Sequence, residues 1–169
     1  MTSRPFAVKP LEKEDRTSFT CGRDSLDHYF RTRIGQDVRR RIATAFIVLH
    51  KPTATVAGFY TLSAAQVPFT DLDEDWRRSL PRYPTLPAVL VGRLAVDRRF
   101  QGQGLGGALL TDAASRAIRS DIGAHFLIVD ALDEDAARFY QHHGMRHIAD
   151  TDNRFFIPLS VLAKAPSGH

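Results

Sequence analysis

The chain is 169 residues long, 43% hydrophobic and 25% charged. That is ordinary globular composition, long enough for one domain to bury about 70% of its unfolded surface without disulfides or metal staples. A single cysteine, Cys21, excludes an internal disulfide framework and a cysteine-based zinc site. No apolar run approaches the about 18 residues of a membrane span, and Met1-Thr2-Ser3-Arg4-Pro5-Phe6 lacks a signal-peptide core. A cytoplasmic protein with no membrane partner is expected.

The formal net charge is +4, and the excess sits in the first 50 residues, which hold ten basic and six acidic side chains. Nineteen of the 23 basic side chains are arginine, whose planar fork suits phosphate. A compositional habit of the genome explains the same bias equally well.

Along the chain, Phe6-Ala7-Val8 reads as a first strand. Leu26, Tyr29, Phe30 and Ile34 have helical spacing from Ser25 to about Ile34, with Asp24 as cap. The runs 44–49 and 56–62 are of strand length and suggest an antiparallel hairpin. Residues 66–87 are irregular, with a short helix in 71–80 and with Pro81, Pro84 and Pro87 stopping any helix or central strand. Residues 88–96 form the most convincing buried strand. Leu105, Ala108, Leu109, Asp112, Ala113 and Arg116 mark a helix over 104–119. A strand at 126–129 follows. Asp133-Glu134-Asp135 opens a further helix at its positive end, which stops near Gly144, and residues 154–158 close the sheet. The expected fold is mixed α/β in a single domain over 1–169, with its core at about 5–160.

The densest chemical signal is the strand ending at Val96 followed by Gln101-Gly102-Gln103-Gly104-Leu105-Gly106-Gly107. Glycines let a ligand approach the backbone, and the N–H groups of a helix start attract an anion. A Walker A loop needs Gly-Lys-Ser/Thr, which is lacking. A Rossmann loop belongs in a first β–α–β unit, and this one follows antiparallel strands. A glycine-rich turn without ligand is a further alternative.

Gln101-x-x-Gly104-x-Gly106 resembles the acyl-CoA pyrophosphate loop of the GNAT N-acetyltransferases. Asp133-x-x-Ala136-x-x-Phe139-Tyr140-x-x-x-Gly144-Met145 resembles that family's second signature, with Asp133 and Met145 where many members carry Asn and Phe. Residues 19–30, 58–63 and 86–97 are similar to one branch, the acetyltransferase toxins of bacterial type II toxin–antitoxin systems, which act on aminoacyl-tRNA. The resemblance implies a central, mostly antiparallel sheet with a splayed parallel strand pair and flanking helices. It implies acetyl-CoA as donor, held by the backbone of Leu94, Ala95 and Val96, by Gln101, Gly102, Gln103, Gly104, Leu105, Gly106 and Gly107, and by Asp133 and Ala136. Tyr140 becomes the general acid for the departing thiolate, against the alternative of a core tyrosine beside Phe139. A homodimer and a cognate ribbon-helix-helix antitoxin are implied as partners.

A tRNA acceptor needs a basic surface, for which Arg31, Arg33, Arg39, Arg40, Arg41, Arg77, Arg78 and Arg93 are the candidates. They read equally as solvated arginines or as contacts for an acidic partner. Arg93 lies on or beside a buried strand, so its charge needs a partner or an edge position. His142, His143 and His147 lack a carboxylate at ligand spacing and read as a solvated helix end; no metal is expected. Cys21 has no motif-linked histidine to make it a nucleophile. A GNAT enzyme acetylating a small amine or a protein N-terminus, and a non-catalytic RNA- or partner-binding module, are the alternatives.

Overall fold

The computed structural model describes residues 4–149 and 151–164; the ends of the expected 1–169 domain lie outside them. The strands are β1 (Phe6–Pro10), β2 (Thr44–His50), β3 (Thr55–Pro68), β4 (Thr85–Val96), β5 (Phe126–Asp130), β6 (Arg146–His147) and β7 (Arg154–Pro158). The helices are α1 (Asp24–Thr32), α2 (Ile34–Arg39), α3 (Glu74–Arg78), α4 (Leu105–Arg119), α5 (Glu134–His142) and α6 (Leu159–Lys164). The strands follow the order β1-β2-β3-β4-β5-β7-β6. The pairs β1–β2, β2–β3, β5–β7 and β6–β7 are antiparallel, and β4–β5 is parallel from Ala88↔Phe126 to Val91↔Val129. This is the mixed, mostly antiparallel sheet that the sequence leads one to expect.

The chain divides into two compact units, one from residues up to 63 with 92–113, the other from 64–91 with the remainder. In the first, β2 and β3 form the expected hairpin, with a register shift at Val48/Leu49. Phe19, Phe30 and Phe59 fill its core, Phe30 stacked on Phe59 at 4.3 Å and tilted against Phe19 at 4.6 Å; each such pair adds about 0.5–1.5 kcal/mol beyond its buried area. In the second, Phe126, Leu127, Ile128 and Val129 are all buried, as a strand covered on both faces requires. Phe126, Ile128, Phe156 and Ile148 pack there with Val67 and Leu86.

Four local expectations are corrected. The first helix breaks at Arg33 into α1 and α2, where the Thr32 hydroxyl donates back to the His28 carbonyl at 2.7 Å, a bond that bends helices. Asp24 is the first helical residue, not the cap; that position is Arg23, without a side-chain cap bond. Pro87 lies inside β4, tolerated because its carbonyl accepts from the His125 N–H at 2.8 Å and no donor is asked of it. The short helix is α3 alone, capped by Asp73, whose side chain accepts from the Trp76 N–H.

Within the first unit, Gly58 lets β3 approach the end of β4. A Cβ at Gly58 would stand 2.8 Å from the Ala95 carbonyl oxygen and 3.1 Å from Leu109 and Val48. The neighbouring Asp97 N–H donates to Ala57 O at 2.8 Å. Backbone cannot yield as a flexible side chain does. Gly58→Ala should therefore destabilise by about 1–3 kcal/mol, measured as a lowered urea midpoint.

Candidate active site

The glycine loop begins where β4 ends. Asp97 is fully buried, and its carboxylate accepts from the Thr20 N–H at 3.1 Å and from the N–H, Nε and Nη2 of Arg99, each at 2.9 Å. Burial alone would raise the Asp97 pKa; the Arg99 and backbone donors outweigh it and hold the carboxyl below its usual range. One 3₁₀ turn, Arg98–Phe100, follows. The Gln101 side-chain amide then donates to Val96 O at 2.9 Å and Cys21 O at 3.1 Å.

Gly102 and Gly104 have φ of 81° and 80°, the left-handed region that favours glycine. A Cβ at either would meet nothing within 4 Å, so backbone conformation rather than crowding selects glycine there. Gly104 O accepts from the Ala108 N–H at 3.1 Å, which starts α4 and leaves the N–H groups of Leu105, Gly106 and Gly107 in a first turn that no intrahelical carbonyl reaches. Three such donors at the positive end of a 15-residue helix are an arrangement that favours an anion. Leu109, Leu110, Ala113, Ala114 and Ala117 bury the opposite stripe of α4. The structure thus brings Leu94, Ala95, Val96 and residues 101–107 into one continuous strand–loop–helix in the first unit.

The same unit carries most of the candidate arginines. Arg31 donates through Nε to Phe19 O at 2.9 Å. Arg93 is exposed, and the partner its charge was expected to need is an aromatic ring: its guanidinium lies 3.6 Å from the Tyr29 ring centroid, a cation–π contact. The Arg93 N–H donates to the buried Thr61 hydroxyl at 3.1 Å. Arg33, Arg39, Arg40 and Arg41 are exposed on α1–α2 and the turn beyond. Sequence reasoning missed Arg16. It bonds Phe30 O at 2.9 Å and flanks Gly35 together with Arg39, their nitrogens 3.5 and 3.3 Å from where a Gly35 Cβ would stand. Nothing in the local sequence pairs residues 16 and 39. Asp27 was also missed: it is buried and accepts from the Cys21 N–H at 2.7 Å and the Thr20 hydroxyl at 3.3 Å.

The second unit holds Tyr140, Asp133, Ala136, Arg77 and Arg78. Asp133 caps α5, accepting from the Ala136 N–H at 2.8 Å, so these two candidates bond each other. Tyr140 is buried, and desolvation together with the Asp130 charge pushes its hydroxyl up to about 12. Arg78 is exposed and lies 3.5 Å from Glu74 and 3.9 Å from Asp75; Arg77 is half-buried. His143 Nδ1 lies 2.9 Å from Phe139 O and His147 Nε2 2.8 Å from Thr151 O. Back in the first unit, burial and then Asp27 push the Cys21 thiol up to about 11, so it stays protonated and is no nucleophile.

The fold defines the class: a mixed α/β protein whose buried strand runs through a glycine loop into a helix. Residues 43–146 match the acetyltransferase (GNAT) domain family. The chain is 35% identical over 159 residues to a tRNA-acetylating toxin of Mycobacterium tuberculosis, covering 93% of each chain. It superposes on the structure of AtaT complexed with acetyl-methionyl-tRNAfMet with a TM-score of 0.83, at 29% identity over 94% of this chain and 97% of that one. For an AtaT mutant toxin bound to the C-terminus of the antitoxin AtaR and acetyl-CoA, the TM-score is 0.78, at 27% identity over 96% and 100%. The chain belongs to the GNAT acetyltransferase family. Among the described residues no helix is long and apolar enough to cross a membrane.

Tyr140 and Tyr29 both have hydroxyls raised to about 12, Tyr29 by burial and its bond to Asp37. The folded chain therefore keeps protons that the unfolded chain loses near ~10. Their stabilisation is complete below that value and is lost as pH rises through about 12. Urea midpoints should fall over that window, and Tyr140→Phe should flatten the slope.

Proposed function

We propose that this chain transfers the acetyl group of acetyl-CoA to the α-amine of the amino acid on a charged tRNA, and so acts as a toxin that blocks translation. The observation that carries this reading is the span of the likeness to a tRNA-acetylating toxin. At 93% of this chain it includes both the glycine loop and the arginine-bearing helices.

In this reading the pyrophosphate of acetyl-CoA sits on the N–H groups of residues 101–107, and the pantetheine arm bonds the backbone of Leu94 and Val96. The glycine loop fits such a ligand, being open above Gly102 and Gly104. The backbone N–H near Val96 polarises the thioester carbonyl. The neutral amine attacks that carbon, the C–S bond breaks, and the amine proton passes to solvent. The amine of an aminoacyl ester is less basic than lysine, so no strong protein base is required. Tyr140 serves the leaving thiolate. With its hydroxyl raised to about 12, it stays protonated throughout the working range and acts first as a hydrogen-bond donor to the developing charge, ahead of complete proton transfer.

The acceptor meets Arg31, Arg33, Arg39, Arg40, Arg41, Arg77, Arg78 and Arg93, to which Arg16 is added because it approaches Gly35 as Arg39 does. Such contacts are to phosphate and are salt-sensitive. A cytoplasmic location, a single catalytic domain, a homodimer and a small ribbon-helix-helix antitoxin belong to the same proposal. The complex of the AtaT mutant with the C-terminus of AtaR supports an antitoxin as partner.

Purified protein given labelled acetyl-CoA should label aminoacylated tRNA and leave deacylated tRNA and free amines unlabelled; label on free amines alone would replace this reading with a general acetyltransferase. Tyr140→Phe should lower kcat by at least ~100-fold with folding intact by circular dichroism. Reversing the charges of Arg39, Arg40 and Arg41 should weaken acetylation of charged tRNA more than that of a small amine; equal loss would mean misfolding.

A further inference from the structure

The loop that the proposed function gives to acetyl-CoA has almost no packing of its own. Around Gly102 and Gly104 there is open space to 4 Å, so neighbouring side chains do not mould its shape. That shape has to be imposed from its two ends. The far end is the start of α4. The near end is Asp97, whose own N–H is fixed to Ala57 O at 2.8 Å.

A carboxylate offers about four acceptor sites. Asp97 fills them with Thr20 N–H, Arg99 N–H, Arg99 Nε and Arg99 Nη2. It therefore has no capacity left for a ligand or a travelling proton. What it holds is the turn Arg98–Phe100, which aims the chain into Gln101, and the strand-like segment at Thr20. The Arg98 N–H returns the contact, donating to Thr20 O at 2.8 Å. Gln101 closes the arrangement by bonding Cys21 O and Val96 O.

We infer that Asp97 is a positioning residue for the acetyl donor: it sets the affinity of the glycine loop for the pyrophosphate by fixing the turn from which the loop departs, without touching the ligand. This rests on the acetyl-CoA reading. It also separates two roles for Arg99. If Arg99 serves Asp97, releasing it weakens donor binding. If it grips phosphate directly, releasing it leaves binding unchanged or tightens it.

Asp97→Asn keeps the side-chain size, removes the charge and turns an amide N–H₂ toward donors. Calorimetric titration with acetyl-CoA should show Kd raised at least ~10-fold, with kcat at saturating donor within about 3-fold and KM for charged tRNA unchanged. A merely structural residue would lower the melting point without that split between donor KM and kcat. An unchanged or lowered Kd in a folded variant overturns the inference. Should Asp97→Asn fail to fold, Arg99→Ala decides from the solvent side, since that side chain is 50% exposed. A raised Kd with the wild-type dependence on ionic strength supports positioning, and a shallower dependence means a direct phosphate contact and overturns it. Wild-type protein that fails to bind acetyl-CoA at all overturns the donor reading, and this inference with it.

Discussion

Two carboxylates that water does not reach hold the first unit together around a two-residue segment. Asp27 takes the Cys21 N–H and the Thr20 hydroxyl; Asp97 takes the Thr20 N–H from the other side. A buried charge left without donors is costly, by several kcal/mol even after relaxation. Each of these carboxylates instead accepts from backbone and side-chain donors, four of them at Asp97. The consequence is geometric. Helix α1, which carries Asp27, and the turn after β4, which carries Asp97, are referred to the same pair of peptide groups. Phe19, one residue earlier, gives its carbonyl to Arg31, so the same segment also orients a cation of α1.

The arginines follow a related logic. A surface arginine normally surrenders side-chain entropy when it binds, about 0.5–1.5 kcal/mol for each immobilised side chain. Arg31 is already tied to Phe19 O, Arg93 already lies on the Tyr29 ring and Arg16 already bonds Phe30 O. None of these contacts neutralises a charge, because carbonyls and rings are not anions. The cations are oriented and remain available to an anion. Arg16 and Arg39 both bring a guanidinium nitrogen near Gly35, so two like charges share one neighbourhood, where a phosphate would relieve their repulsion.

Much of this was legible in the residues. Apolar runs gave β2, β4 and β5, the acidic start of α5 was visible at Asp133, and the loop announced itself through Gly102 and Gly104. The misses have physical reasons. Residues 63–68 continue β3 although Ser, Ala, Gln and Pro have little strand preference, because Val67 is needed in the second core. The two-residue β6 and the short α6 carry too few positions to show a period. Pro87 was read as a stop because the rule concerns the missing donor, whereas this position supplies an acceptor. Asp97 ended the family-like segment 86–97, but nothing in that pattern told that its side chain would be buried and bonded to Thr20 and Arg99. Arg93 was expected to need a partner, but that the partner is the Tyr29 ring is a tertiary contact that no strand pattern encodes. Arg16 with Arg39 is a tertiary meeting that no short-range pattern encodes.

The same constraints narrow the chemistry open to this family member. A covalent route through the protein needs an ionisable nucleophile. Cys21, the only cysteine in the sequence, is pushed up to about 11 by its burial and by the Asp27 that holds its own N–H. Burial is the larger cause, and the second, Asp27, is also the anchor of the Thr20–Cys21 segment. Structure and nucleophilicity are thus in direct opposition at this residue, and the fold has settled the matter for structure. Tyr140 is shaped the same way: burial and Asp130 keep its proton in place, which disqualifies it as a base and suits it to donate. Under the proposed function, a donor that keeps its proton throughout the working range and a cysteine that stays protonated leave direct transfer from thioester to amine as the route these residues serve.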